Sequence, residues 1–89
     1  MKIVINACYG GFGLSDKAIA WLKKKGITAH YYDIARDNPL LVECIEALGD
    51  DADGTYAELR IVDIPDGVDY EIEEYDGIES IAEKHRKWF

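Results

Sequence analysis

Cysteine and proline are scarce in this 89-residue chain, with two of each. Cys8 and Cys44 stand alone, without the short paired spacings of a zinc ribbon or a secretory context that would favour a bridge, so both are expected to be reduced. Neither His30 nor His85 falls at a metal-ligand spacing. No stretch approaches the roughly 18 consecutive apolar residues of a membrane span. The start, Met1 to Asn6, turns polar too soon for a signal peptide, and the expected location is the cytoplasm. No Gly-Lys-Ser/Thr follows Gly10, which excludes a P-loop. A serine nucleophile elbow, internal repeats, linkers and low-complexity tracts are also missing. The length falls below the prior of about 150 residues per domain, so one small domain, 1–89, is expected and a multidomain enzyme is excluded. A domain this small buries a limited fraction of its surface, which makes self-association a common remedy.

Positive charge is the other scarcity. The net charge is -8, which opposes free nucleic acid or an anionic membrane as partner of the whole surface. The imbalance is local: residues 1–42 carry net +3, residues 43–83 hold one base, Arg60, against fifteen acids, and residues 84–89 add +3. What the chain does have is core material, with 48% hydrophobic and 11% aromatic residues, in the globular range.

The punctuation is clear. Lys2 to Cys8 reads as a strand whose consecutive Ile3, Val4 and Ile5 predict burial on both faces and a central position. Ser15 is an N-cap with Asp16 at the positive helix end, Leu14 can staple onto Ile19, and Lys23 to Lys25 suit the negative end before Gly26, so a helix is expected over 16–25. Ile27 to Tyr32 is rich in β-branched and aromatic residues and predicts a second strand. Asn38 caps a second helix with Pro39 at its first position, and Gly49 stops it. Asp50 to Gly54 is a turn, and Tyr56 to Ile64 a third strand. In a fourth, Val68, Tyr70 and Ile72 alternate with Asp69, Glu71 and Glu73, leaving one wet face. Asp76-Gly77 is the preferred dipeptide of a type I′ turn, so Ile78 to His85 is expected to return as a fifth strand. A C-terminal helix is the alternative, because Ile78, Ile81, Ala82, His85, Trp88 and Phe89 also fit a helical stripe and Asp76 with Glu79 would form a capping box. The expected fold is α+β: one mixed sheet of four or five strands, two helices packed on it, and a C-terminal hairpin.

Several segments together carry a likeness to known proteins: Lys2-Ile3-Val4-Ile5-Asn6; Cys8-Tyr9-Gly10-Gly11-Phe12-Gly13-Leu14-Ser15; Glu74-Tyr75-Asp76-Gly77 with Glu79; and His85-Arg86 with Trp88. The chain resembles, over nearly its whole length, a family of small bacteriophage- and prophage-encoded proteins with no assigned chemistry. The resemblance implies an accessory role in the host cell cytoplasm and supplies no catalytic residue. Ala7 and Lys87 stand where the family pattern has Arg and Thr, and an Arg lost beside the glycine loop weakens any anion site there.

Read from the residues alone, the most informative constellation is strand, glycine loop, helix, strand, acid. Gly10, Gly11, Phe12 and Gly13 lead to Ser15 at a helix N-terminus, whose free N–H groups and dipole attract anions, and Asp33 follows at the end of the expected next strand. That is the layout of a dinucleotide half-site, in which glycines admit a pyrophosphate and the acid accepts ribose hydroxyls. Asp16 in place of the third glycine counts against it. The plainer reading is that the glycines allow a tight strand-to-helix turn. In the tail, Arg86 suits a phosphate and Trp88 suits stacking on a base, the plainer reading being a basic edge over an acidic middle. Cys8 ahead of a helix N-terminus is a possible nucleophile, with His30 or His85 to activate it, although a small buried thiol is the commoner state. The expected function is non-enzymatic, cofactor-free sequestration of a nucleotide-type ligand by a homo-oligomer. For a phage protein the ligand would be a host defence signal related to cyclic ADP-ribose or a cyclic nucleotide. The alternative is an acidic protein-interaction module, Glu43 to Glu83, that occludes a basic surface of a host protein.

Overall fold

The computed structural model describes residues 1–28, 30 and 33–83. Among these, the elements run β1 (Lys2–Asn6), α1 (Asp16–Lys24), α2 (Pro39–Leu48), a 3-10 turn (Gly49–Ala52), β2 (Leu59–Asp63), β3 (Tyr70–Tyr75) and β4 (Ile78–Glu83). The class is α+β, as the sequence patterning implies. The sheet is not single or mixed: β1 pairs with β2 and β3 with β4, both antiparallel, in two separate two-stranded sheets.

Both helices form where their caps place them. The Ser15 hydroxyl accepts the Ala18 N–H at 3.2 Å, and Asn38 Oδ1 accepts the Leu40 N–H at 2.9 Å ahead of Pro39. These are the side-chain acceptors that a first helical turn lacks. α2 packs on β1 and β2, and α1 packs on α2. Between them lies a core that includes Val4, Leu22, Leu41, Cys44 and Leu59.

The expected strand over Ile27 to Tyr32 does not form at Ile27, Thr28 or His30; Ala29, Tyr31 and Tyr32 lie outside the described residues. The reason is local. Gly26 takes a φ of 95°, its N–H donates to Lys23 O, and the Ile27 N–H donates to Leu22 O. This is a Schellman cap, which uses Ile27 as the apolar residue closing the helix end. The expected third strand is also shorter than Tyr56 to Ile64, because Ala57 N–H bonds back to Gly54 O in a turn before it.

β1 is buried on both faces from Ile3 to Asn6, yet among the described residues only one of its edges meets a strand. On the other edge, the Val4 N–H donates to the Arg36 carbonyl at 2.9 Å and the Asn6 N–H donates to the Glu79 carboxylate at 2.8 Å. A main-chain carbonyl and a side chain thus replace the neighbouring strand that the burial pattern predicts. The hairpin reading of residues 76–83 holds over the helical one: Asp76 and Gly77 have φ of 50° and 91°, the pair of positive angles that a type I′ turn requires. His85 and the rest of 84–89 lie outside the described residues.

Candidate functional site

β1 delivers the chain into the loop Cys8–Leu14, and α1 carries it away. Three segments close around this loop. From one side, Gly54 N–H donates to Gly13 O at 3.0 Å, and Ser15 N–H donates to Ala52 O at 2.9 Å. Against Gly10 lies Tyr56, so close that a Cβ at position 10 would overlap the Tyr56 backbone. From the hairpin side comes Gly77, where a Cβ would overlap Tyr9 O and Gly11 N. At Gly10 and Gly77, therefore, the lack of a side chain serves approach of protein backbone rather than of a pyrophosphate.

The helix end is similarly occupied. Ser15 Oγ accepts from Ala18 and donates to Asp51 O at 2.5 Å, so the hydroxyl serves the cap. Asp16 opens the helix, and Asp51 follows in the turn that packs there, with Lys17 Nζ 3.8 Å from its carboxylate. Those acids set a negative field where the dinucleotide reading puts a phosphate. Asp33 is exposed, and its N–H donates to His30 O at 2.8 Å. It is not among the residues lining the cleft beside the loop. Arg86 and Trp88 lie outside the described residues.

That cleft has a volume of about 330 Å³ and is lined by Gly10 to Leu14 and Gly54 to Ala57, at the lower end of small-ligand sites. No lining side chain is charged. Gly11 and Gly13 open onto free space: a Cβ at Gly11 would meet nothing within 4 Å, and one at Gly13 only Gly54 Cα at 3.9 Å. The three exposed large hydrophobics of the described residues are Tyr9 at 69%, Tyr56 at 74% and Tyr75 at 76% exposure, and of these Tyr56 lines the cleft. Tyr9 is the loop residue before Gly10, and Tyr75 precedes the turn whose Gly77 abuts Tyr9.

Behind the cleft stands a polar cluster that the residue patterns did not assign as a site. Arg36 and Glu79 form a two-pronged ion pair, Nη1 to Oε1 at 2.5 Å and Nη2 to Oε2 at 2.8 Å, the paired geometry favoured by guanidinium and carboxylate. The guanidinium lies 3.6 Å from the centre of the Phe12 ring, a cation–π contact. Asn6 is fully buried. Its Nδ2 donates to Cys8 O and Gly77 O at 2.6 and 2.7 Å, and its Oδ1 accepts the Glu58 N–H at 2.8 Å. Every group here is spent on joining loop, β1 and hairpin. The sequence marks Glu79 only as the capping-box partner of Asp76 and as part of the family resemblance, since acids also occupy its face at Glu74 and Glu83.

Cys8 is half-buried, and its described hydrogen bond is through the carbonyl. His30 lines a separate apolar cavity of about 200 Å³ with Leu14, Ile19, Leu22, Lys23, Ile27, Thr28 and Ile34. Cys44 is buried, and desolvation pushes its thiol up to about 11. Among the described residues no His, Cys, Asp and Glu are grouped so as to hold a metal ion. No helix among them is long and apolar enough to cross a membrane. Comparison of the chain with family models, curated proteins and solved structures gave no match.

Proposed function

We propose that this chain is a non-enzymatic binding protein that takes a nucleotide-type ligand in the cleft between Gly10–Leu14 and Gly54–Ala57, gripping it by the base. The observation that supports this is the exposed ring of Tyr56 lining one uncharged, polar cleft, with exposed Tyr9 next in the chain to its Gly10. Each ring offers a face on which a base stacks, and stacking contributes about 1–3 kcal/mol per base. The open space where Gly11 and Gly13 lack a side chain leaves room for the base or ribose. The acids Asp16 and Asp51 direct phosphate away from the α1 terminus. In the terms of the phage resemblance, the ligand is a host defence signal, related to cyclic ADP-ribose or a cyclic nucleotide, sequestered in the host cytoplasm by a homo-oligomer.

The test is calorimetric titration of the purified protein with cyclic AMP, cyclic GMP, cyclic ADP-ribose and the parent nucleosides. Tyr56→Ala should weaken binding roughly tenfold or more while leaving thermal stability unchanged, because the side chain is exposed. Absence of binding across the panel, or equal binding by folded Tyr56→Ala protein, overturns the reading.

A second reading has its own observation. Glu71, Glu73 and Glu74 are all exposed on β3, and this acidic face is suited to cover a basic surface of a host protein. Its marks would be steep salt dependence and weakened association when the three are changed together to Gln.

A further inference from the structure

We propose that the outer edge of β3 docks an extended basic segment of another protein, which adds to the hairpin as a third strand. The proposal rests on the acidic-surface reading and supplies its geometry. β3 pairs with β4 alone among the described strands. Its register runs Tyr70↔Glu83, Ile72↔Ile81, Glu74↔Glu79 and Tyr75↔Ile78. In a two-residue hairpin the pair flanking the turn, here Tyr75 and Ile78, exchanges both hydrogen bonds, and bonded pairs then alternate. Glu71, Glu73 and Tyr75 therefore bond to β4, whereas the N–H and C=O groups of Tyr70, Ile72 and Glu74 point outward. Those are the groups an added strand uses.

The charges select the occupant. Glu71 and Glu73 project from one face of β3 and Glu74 from the other, so any strand laid along this edge meets carboxylates on both its faces. A second copy of β3 would set like charges opposite one another, which destabilises pairing. Acids on an edge strand are a known guard against self-association. The same acids favour a strand bearing Lys or Arg on both faces, and such a partner both satisfies the backbone and neutralises the edge.

The test uses the full chain and a short synthetic peptide alternating lysine and valine. Glu74→Gln removes only a charge, whereas Glu74→Pro also removes an outward N–H, which an edge strand tolerates because no ladder bond to β4 is lost. Binding of the peptide should weaken about twofold in the first variant and roughly tenfold or more in the second. Amide exchange should show new protection at Tyr70, Ile72 and Glu74 on peptide binding, with Glu71, Glu73 and Tyr75 unchanged. If Glu74→Pro loosens the hairpin, Tyr70→Pro at the first residue of the strand makes the equivalent deletion. Equal weakening by Gln and Pro without the alternating protection overturns strand addition and leaves the acidic-surface reading standing. No peptide binding by the unaltered protein overturns both. Self-association that Glu74→Pro abolishes assigns the edge to a second copy and also overturns the proposal.

Discussion

In the body formed by β1, β2 and the two helices, Ile3, Val4, Leu41 and Cys44 are wholly enclosed; in the β3–β4 hairpin the one buried residue is a carboxylate, Glu79. An isolated two-stranded hairpin is marginal in water, and Ile72 facing Ile81, both half-exposed, adds little apolar burial. The hairpin therefore holds its place through Glu79, which bonds β1 and Arg36 together, and through Gly77 beneath the Tyr9–Gly11 backbone. The contrast teaches that one small chain can contain two cooperative levels: a body set by hydrophobic burial and an appendage set by a few directional polar contacts. Opening of the second need not unfold the first.

The largest expected effect strikes the body. Leu41→Ala should cost about 3–5 kcal/mol through lost burial and a residual cavity, read as a lower denaturant midpoint that hairpin and helix probes report alike. Glu79→Ala should cost about 3 kcal/mol, because it leaves the Asn6 N–H without its acceptor and the Arg36 charge without its carboxylate, with only the Val4 carbonyl at 3.3 Å remaining. Here the signature is local: amides of Glu71, Glu73 and Tyr75 exchange faster while those of α2 keep their protection. Equal acceleration in both regions would erase the distinction between the two levels. Changing Arg36 and Glu79 together to Met should cost less than Glu79→Ala alone, since no buried charge is then stranded.

A smaller, pH-dependent effect sharpens the contrast from the body's side. Burial raises the Cys44 thiol from 9.0 to about 11, so the folded state holds that proton more tightly than the unfolded chain does. The contribution is complete below the ordinary thiol range and is lost as pH rises from about 9 to 11. It should amount to at most about 3 kcal/mol. The stability difference between the protein and its Cys44→Ala variant should shrink over that window, and a difference constant with pH would show that Cys44 titrates alike in both states.

Much of this fold is legible wherever local chemistry decides it. Ser15 with Asp16, Asn38 with Pro39, and Asp76 with Gly77 are each self-sufficient signals, and each element stands where its signal puts it. Ile27 misleads because its β-branched side chain suits a strand and a helix-closing contact equally well, and the choice depends on Gly26 before it. The single sheet misleads for a deeper reason. Continuous burial of Ile3 to Asn6 implies a neighbour on both edges of β1, but periodicity cannot reveal that one neighbour is a carboxylate seventy-three positions away. The glycine loop is legible as a strand-to-helix turn. Its packing partners, Tyr56 and Gly77, are remote in sequence, so nothing local distinguishes a glycine that admits protein backbone from one that admits a ligand.

Asn6 also has a bearing on the order in which this protein is made. Its side chain binds residues two, fifty-two and seventy-one positions ahead, and its N–H waits for residue 79. Synthesis proceeds at about 5–20 residues per second, so β1 leaves the ribosome seconds before the groups that complete it exist. During that interval α1 and α2, whose contacts are local, can form and cover one face of the strand, while its second edge stays wet. Closure of the architecture therefore waits for residues made long after β1: it comes when the turn at Gly77 folds over the loop and the Glu79 carboxylate displaces water from the Asn6 N–H.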